Sequence, residues 1–492
     1  MAQTPIDAHF VQTHDLDLFG HRPHKSAALL FNALMATAIW QTWPTLLFMG
    51  GWSAMVVLVN KNTAADLSIP STMITVLGVL LGLTLSYRTS SAYDRYWEGR
   101  RMWSQIILAS RTWARMVWIH CPDTLSATAI TDSHEQALDE ARAIIEKKTI
   151  VQLALAFSAS VKHYLRGEEG ILYEDLFDLV RYIPSLNLPS GIASAADAYN
   201  TSLPHSSSVH RPSISSSRTP YASEAEKSRA SIYPPLRPSL APARDPPTFR
   251  WSECFPVKFF VSRKQRMKAE GRKARKNIMK TQRVGGGVGQ NVPLEVTMFM
   301  SSWIAAMQRR KTIDVPTTNT LIAALAQMSD ALSALERILT TPIPFAYNAH
   351  IWEVTWVYCL VLPFQLYGAG FNWVTVPAVV ITSYIVFGFA AIGEEIENPF
   401  GYDKNDLNLD FFVESIIKQE LAAITARPFP PPEQWVFSPE NKLFGIDDVG
   451  ADRLQHTGLA SIRAGLAALS TGRGRPSLRR ARTPAASETE MV

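Results

Sequence analysis

Three stretches of this chain carry no Asp, Glu, Lys or Arg: Ala27 to Asn60, Leu67 to Tyr87, and Val354 to Gly393. A helix crosses the hydrocarbon core of a bilayer with about 20 apolar residues. Runs of this length therefore predict membrane-spanning helices. The second run fits one span, and the third is long enough for two, with a tight turn near Gly368, Gly370 and Asn372. The first exceeds one span, and Gly50–Gly51 is expected to break it into a spanning helix and a shorter apolar or re-entrant piece. The expectation is four spans in two hairpins.

Whole-chain averages, 47% hydrophobic and a net charge of +5 over 492 residues, hide this partition. Placement of charge says more, because Lys and Arg accumulate on the cytosolic side of spans. Arg22 and Lys25 precede the first hairpin, and Arg88, Arg95, Arg100, Arg101, Arg111 and Arg115 follow it. Both ends of that hairpin are expected in the cytosol, with the short polar segment Lys61 to Asp66 outside. An even number of spans then predicts a multi-pass protein with both termini cytosolic, in the plasma membrane or an internal one. The first 25 residues do not read as a cleaved leader. Cys121, Cys254 and Cys359 are scattered and odd in number, which predicts free thiols.

Between and around the hairpins the chain divides by composition. Residues 1–26 read as a cytosolic N-terminal segment and 27–87 as the first hairpin. Residues 88–187 form the first part of a cytosolic helical bundle, whose segment DEARAIIEKKTIVQLALAFSASVKHYLRG has helical spacing and an expected apolar face of Ile145, Leu153, Phe157 and Val161. Residues 188–293 are a Ser/Pro-rich and then basic insertion, too poor in apolar side chains to offset the entropy of ordering. It reads as disordered. Ten Lys or Arg between Arg263 and Arg283 make it either a solvated segment or a contact for anionic lipid. Residues 294–349 supply the second part of the bundle, 350–393 the second hairpin, and 394–427 an acidic motif and one amphipathic helix. Residues 428–492 read as a mostly disordered tail with one helix near Ala460.

The chain offers no convincing enzyme chemistry. No nucleophile is paired with a base, no ligand cluster has metal spacing, and GGGVG lacks both the Lys-Ser/Thr and the preceding strand of a phosphate loop. Neither a cofactor nor nucleic acid is implied. The carboxylates flanking the second hairpin, Glu353, Glu394, Glu395 and Glu397, could steer cations or simply cap helices and pair with Arg. In IPSTMITVLGVLLGLTLSYRTS, Val79, Leu83 and Tyr87 recur every four residues along one helix side, either as packing or as a pore lining.

Four motifs narrow these readings. SAYDRYWEGRRMWSQI after the second span, HYLRG in the middle, TPIPFAYNAHIW before the third span and GEEIENPFGYDKNDLNLD after the fourth occur in an order that resembles the bestrophin family, its bacterial and fungal branch above all. The resemblance covers roughly Asp17 to Ala426 apart from the insertion. It implies an all-α fold, four transmembrane helices continuous with a cytosolic helical bundle, and a homopentamer around one central pore that passes monovalent ions such as chloride.

Matched to that family, Val79, Leu83 and Tyr87 stand at its hydrophobic neck, and Ile343 or Ala346 at its cytosolic constriction. A ring of uncharged apolar side chains can gate by wetting and dewetting. Tyr87 departs from the aromatic hydrocarbon usual there. Asp94, Arg95, Trp97 and Glu98, with Glu394, Glu395, Glu397, Asn398, Pro399, Phe400 and Gly401, match structural motifs of the family. Animal members hold calcium with a dense acidic run after NPFG. Here the run reads Tyr402, Asp403, Lys404, Asn405 and Asp406, which is too poor in carboxylates for a hard cation. No metal is expected, and Asp403, Asp406 and Asp410 are expected in helix caps and subunit contacts. Arg88 and Arg95 lean toward anions unless Arg95 pairs with Asp94, Glu98 or the GEEIE carboxylates. Cation conduction, a coupled transporter and a non-conducting scaffold remain as alternatives, though the uncharged runs lack the ionisable midplane residue usual in transporters.

Overall fold

The computed structural model describes residues 37–63, 67–70, 72–126, 132–168, 170–184, 186, 188, 240–244, 291–403, 405–444 and 449–470. The N-terminal segment 1–26, the basic run 263–283 and Cys254 lie outside these residues. Among the described residues there is no strand, and the single parallel bridge pairs Tyr173 with Ala241. The chain forms two compact units, Met1–Ile424 and Thr425–Val492.

In the first unit, helix α1 spans Ala38–Asn62 and α2 spans Thr72–Arg115, continuing as one π-helical turn over Met116–His120. Helix α3 covers Ser133–Leu165 and short α4 Phe177–Val180. They are followed by α5 at Val292–Arg310, α6 at Val315–Thr340, α7 at Phe345–Gly368 and α8 at Thr375–Glu395. A π-helical stretch at Phe411–Ile417 leads into α9, Lys418–Ile424.

Local chemistry sets several of these boundaries. The Asp132 carboxylate accepts from His134 N–H at 3.0 Å to start α3, and Asn291 Oδ1 accepts from Leu294 N–H at 3.1 Å to start α5. Pro293 stands where its missing N–H costs nothing. Helix α5 ends on Lys311 at φ 57°, a left-handed cap. Between α7 and α8 the turn uses Gly370 at φ 90° and Asn372 at φ 46°, the two residue types that tolerate that region best. It falls where the third uncharged run predicted one.

Two hydrophobic cores result. The smaller joins α1, α2, α7 and α8 through Met49, Leu81, Leu85, Ile351, Cys359, Val379 and Phe387. The larger joins the second half of α2 to α3, α5, α6 and α9 through Trp103, Ile106, Trp113, Phe157, Met300, Leu321, Leu335 and Leu421. Helix α2 belongs to both. Its 44 residues extend about 66 Å at 1.5 Å per residue, roughly twice the hydrocarbon thickness of a bilayer.

Among the described residues two helices, Gln41–Asn62 and Asn372–Glu395, are long and apolar enough to cross a membrane by length and composition.

Three expectations need correction. Helix α1 runs unbroken through Gly50–Gly51. A methyl group at Gly50 would stand 3.3 Å from the Val380 side chain, so this glycine allows α8 to approach closely rather than ending the helix. Ile145 does not share the buried face of α3. It is exposed, while Leu153, Phe157 and Val161 are buried. At 100° per residue Ile145 falls about 160° around the helix from Val161. Finally, the insertion is not disordered throughout. Ala241 exchanges N–H and C=O with Leu172 and Glu174 at 2.8 and 3.1 Å, which seats residues 240–244 on the bundle.

In the second unit, α10 spans Pro432–Val436, α11 Ala451–Leu454 and α12 Leu459–Ser470. Phe444 is buried with its ring edge 2.8 Å from where a Gly465 side chain would begin. Helix α12 is the one expected near Ala460, and the Phe444 ring gives it a partner.

Candidate functional site

Helix α2 presents two faces of opposite character. Val79, Leu83 and Tyr87 are 61%, 65% and 67% exposed, while Leu81, Leu85, Arg88 and Ala92 are buried on the other side. A stripe about two and a half turns long is thus left uncovered by its own chain. Large exposed apolar patches mark surfaces that meet a partner, lipid or a pore. Beside the stripe, between α2, α7 and α8, lies a cavity of about 610 Å³ lined by Leu81, Leu85, Tyr358 and Phe389, with Ser86 and Ser90 supplying hydroxyls.

The two sets of residues expected at constrictions approach one another through Tyr87 and Tyr347. The Tyr87 ring meets the Tyr347 ring edge-on, with centroids 6.4 Å apart, and Tyr347 follows Ala346 directly. Ala346 is exposed in the first turn of α7. Ile343 is half-buried, and its N–H donates to Glu397 Oε1 at 2.9 Å.

The motif residues hold α2 against its neighbours. Arg95 turns to the backbone rather than to a carboxylate. Its guanidinium donates to three carbonyls, those of Glu397 at 3.1 Å, Ile338 at 2.5 Å and Thr341. The last two carbonyls belong to the final turn and the C-cap of α6, so a cation there satisfies acceptors that no further turn of helix can. Glu98 pairs instead with Arg337. Asp94 and Trp97 are exposed. Glu395 accepts from Gln41 at 2.8 Å and Asn405 at 3.0 Å. Asn398 Oδ1 accepts from Phe400 N–H at 3.5 Å. Pro399 and Phe400 are buried against Gly99, where a side chain would come 3.1 Å from the Phe400 ring. A Cβ at Gly401 would stand 2.7 Å from Asp406 Oδ2 and so would displace that carboxylate.

Arg88 was expected on a basic flank of the pore and is instead fully buried, its Nη1 donating to Ala390 O at 2.6 Å. Its position one residue after Tyr87 turns it about 100° away from the stripe, toward α8.

The run after NPFG joins a network of charges with α3. Lys162 Nζ donates to Asp175 at 2.5 Å and Asp410 at 3.0 Å, and Arg166 donates to Asp410 at 3.1 Å. His163 meets Glu168 at 2.5 Å through Nδ1 and Asp175 at 2.9 Å through Nε2. Tyr402 donates to Glu168 and lies under the Arg166 guanidinium, 4.1 Å from ring to carbon. Asp410 thus binds two cations of its own chain, Lys162 and Arg166, which HYLRG brings to it. Asp406 Oδ2 caps a turn by accepting from Asp403 N–H at 2.7 Å. Burial tends to raise the Asp175 carboxyl, yet His163 and Lys162 hold it at about 2. Burial likewise opposes Asp410, which Lys162 and Arg166 hold below the usual range. Among the described residues no cluster of three or more His, Cys, Asp or Glu is arranged to hold a metal ion.

Sequence reasoning missed this network and the burial of Arg88. A signal for the first existed, since Lys162, His163 and Arg166 interleave with Val161 and Leu165 on the apolar face of α3.

The family model described as Bacterial/Fungal Bestrophin protein matches residues 18–213 and 256–422. The chain belongs to the bacterial/fungal bestrophin family. This bestrophin is 26% identical over 68% of its length to a voltage-dependent anion channel-forming protein of Nostoc, of which the match covers 70%. It is 24% identical over 80% of its length to another of Synechocystis, covering 92% of that protein. Among solved structures, a point mutant of a bacterial bestrophin homologue from Klebsiella pneumoniae aligns over 79% of this chain and 99% of its own, at 19% identity and a TM-score of 0.46. The bestrophin thus stands among channels and not among enzymes.

Proposed function

We propose that this bestrophin is the subunit of a homopentameric, passive anion channel that conducts monovalent anions such as chloride. Helices α1, α2, α7 and α8 form its four spans in two hairpins, with both termini in the cytosol. Five copies of α2 surround the pore, Val79, Leu83 and Tyr87 form its hydrophobic neck, and Ile343 and Ala346 a second constriction beneath. The observation that carries this reading is the uncovered stripe on α2, exposed at all three positions while the flanking residues Leu81 and Leu85 are buried. An apolar ring without charge offers ions a passage that depends on whether it is wet.

Selectivity for anions rests on the names of the relatives, voltage-dependent anion channel-forming proteins. Neither arginine of the expected basic flank faces the stripe freely, since Arg88 and Arg95 are both occupied by backbone carbonyls.

The deciding experiment reconstitutes the purified protein in planar bilayers under a potassium chloride gradient and compares it with Leu83→Ala. Reversal near the chloride equilibrium potential is expected, with larger conductance or easier opening in the variant. Reversal on the potassium side overturns anion selectivity and leaves the channel. Electrical silence under all conditions overturns conduction in favour of a membrane scaffold.

A further inference from the structure

We infer that Arg88 is a positioning residue for the neck, fixing the rotation of α2 against α8 and thereby the direction in which Leu83 and Tyr87 point. The inference rests on the neck reading above and deepens it. Arg88 lies on the buried face of α2, in line with Leu81, Leu85 and Ala92, and is 0% exposed. Burying a guanidinium is costly unless its donors are met, and an apolar side chain of similar volume often serves packing as well or better. Here the donors are met sparingly. Nη1 bonds to Ala390 O at 2.6 Å, while Nε and Nη2 are buried without an acceptor. An arginine held this way adds little as a packing element. It does add direction, because one bond to a fixed carbonyl of α8 is satisfied over a narrow range of helix rotation.

That rotation is the variable that matters at the neck. Tyr87 and Arg88 are successive residues, about 100° apart around the helix, so the azimuth of one sets that of the other. Leu83 and Val79 follow at four and eight residues along the same stripe. Gly393 of α8 lies beside the guanidinium, where a Cβ would stand in ordinary contact, 3.5 Å from Nη1. The two unmet donors make this an arrangement that a small rotation exchanges for another.

The test compares single-channel records of the full-length protein with Arg88→Met, Arg88→Lys and, in parallel, Leu83→Ala, after size-exclusion and thermal-melting checks of assembly. Met keeps the stem and removes the donor. It is expected to assemble with unimpaired stability and to change open probability about tenfold, the factor that follows from losing one bond to a charged group, at an unchanged unitary current. Lys, whose ammonium ends about one bond short of the carbonyl, is expected to shift open probability in the same direction by less, and decides the matter if the Met variant does not assemble. Wild-type open probability in assembled Arg88→Met, or in Arg88→Lys where only that assembles, overturns the inference, as does a fall in melting temperature without any change in gating. A Leu83→Ala channel indistinguishable from wild type removes the neck reading and this inference together, whereas a responsive Leu83 with an indifferent Arg88 removes the inference alone.

Discussion

Two side chains of the charged helical bundle, His163 and Asp406, make the stability of this bestrophin depend on pH in the same direction. Burial alone would lower the His163 pKa from 6.5, but the carboxylates of Asp175 and Glu168, one on each ring nitrogen, outweigh it and raise it. Stabilisation by the imidazolium is therefore complete below 6.5 and lost as pH rises through the raised folded value. In a thermal scan from mildly acidic to alkaline pH, the wild type is expected to lose stability, and His163→Gln to start lower and flatten that slope. Asp406 acts through the ionisation of an acid. Burial first, then the nearby charges of Asp403 and Glu395, push its carboxyl up to about 7, and its Oδ1 has no hydrogen-bond partner. The folded state holds a proton that the unfolded state has released, so stability falls as pH rises from 3.8 to about 7. Asp406→Asn keeps an acceptor for Asp403 N–H and cannot ionise. It is expected to melt with the wild type in acid and above it at pH near 8. A variant that gains nothing at the alkaline end would sink this account.

At the scale of elements, the anchoring of α2 is where stability concentrates. Arg95 satisfies three carbonyls from two separate segments, the end of α6 and the loop after α8. Arg95→Ala leaves all three without that donor and is expected to destabilise the fold by about 3 kcal/mol or more, read as a lowered denaturation midpoint or a failure to assemble. Arg95→Lys recovers only part, because an ammonium lacks the planar fork. Helix existence was legible in the sequence because apolar spacing and uncharged length are properties of the chain itself: the patterns of α3, α5, α6 and α9 and the turn at Gly370 and Asn372 all come from that source. What was not legible depends on a neighbour. Gly50 reads as a break until Val380 is seen beside it, and Arg88 reads as a basic flank until Ala390 offers its carbonyl. The exposed stripe on α2 was found by spacing, whereas its proximity to Tyr347 needs two distant segments brought together.

For the molecule as a whole, the insertion tests whether function resides in the helices or in what interrupts them. Leu188 and Asn291, near its two ends, are joined by one hydrogen bond, Asn291 N–H donating to Leu188 O at 3.0 Å. The N–H groups of Leu186 and Leu188 further donate to the Glu295 carboxylate at 3.2 and 2.9 Å, so the bundle closes around the point where the insertion leaves and returns. Residues 189–290 can accordingly be replaced by a short Gly/Ser linker without moving α3 or α5. The family match itself stops at residue 213 and resumes at 256. Something is nevertheless lost with the segment. Ala241 pairs with Leu172, Ala243 O accepts from Lys162 at 3.4 Å, and Arg244 stands 4.0 Å from Asp410. These contacts fasten residues 240–244 over the buried charges of α3, and their removal opens Lys162 and Asp410 to water, where the ion pair is worth less. The shortened protein is therefore expected to keep ion flux in liposomes and to melt at a lower temperature than the full chain, with the difference shrinking in Lys162→Met, where the covered charge is already gone. Loss of flux in a shortened protein that still assembles would place the activity in the insertion and remove the helical pore as its sufficient cause.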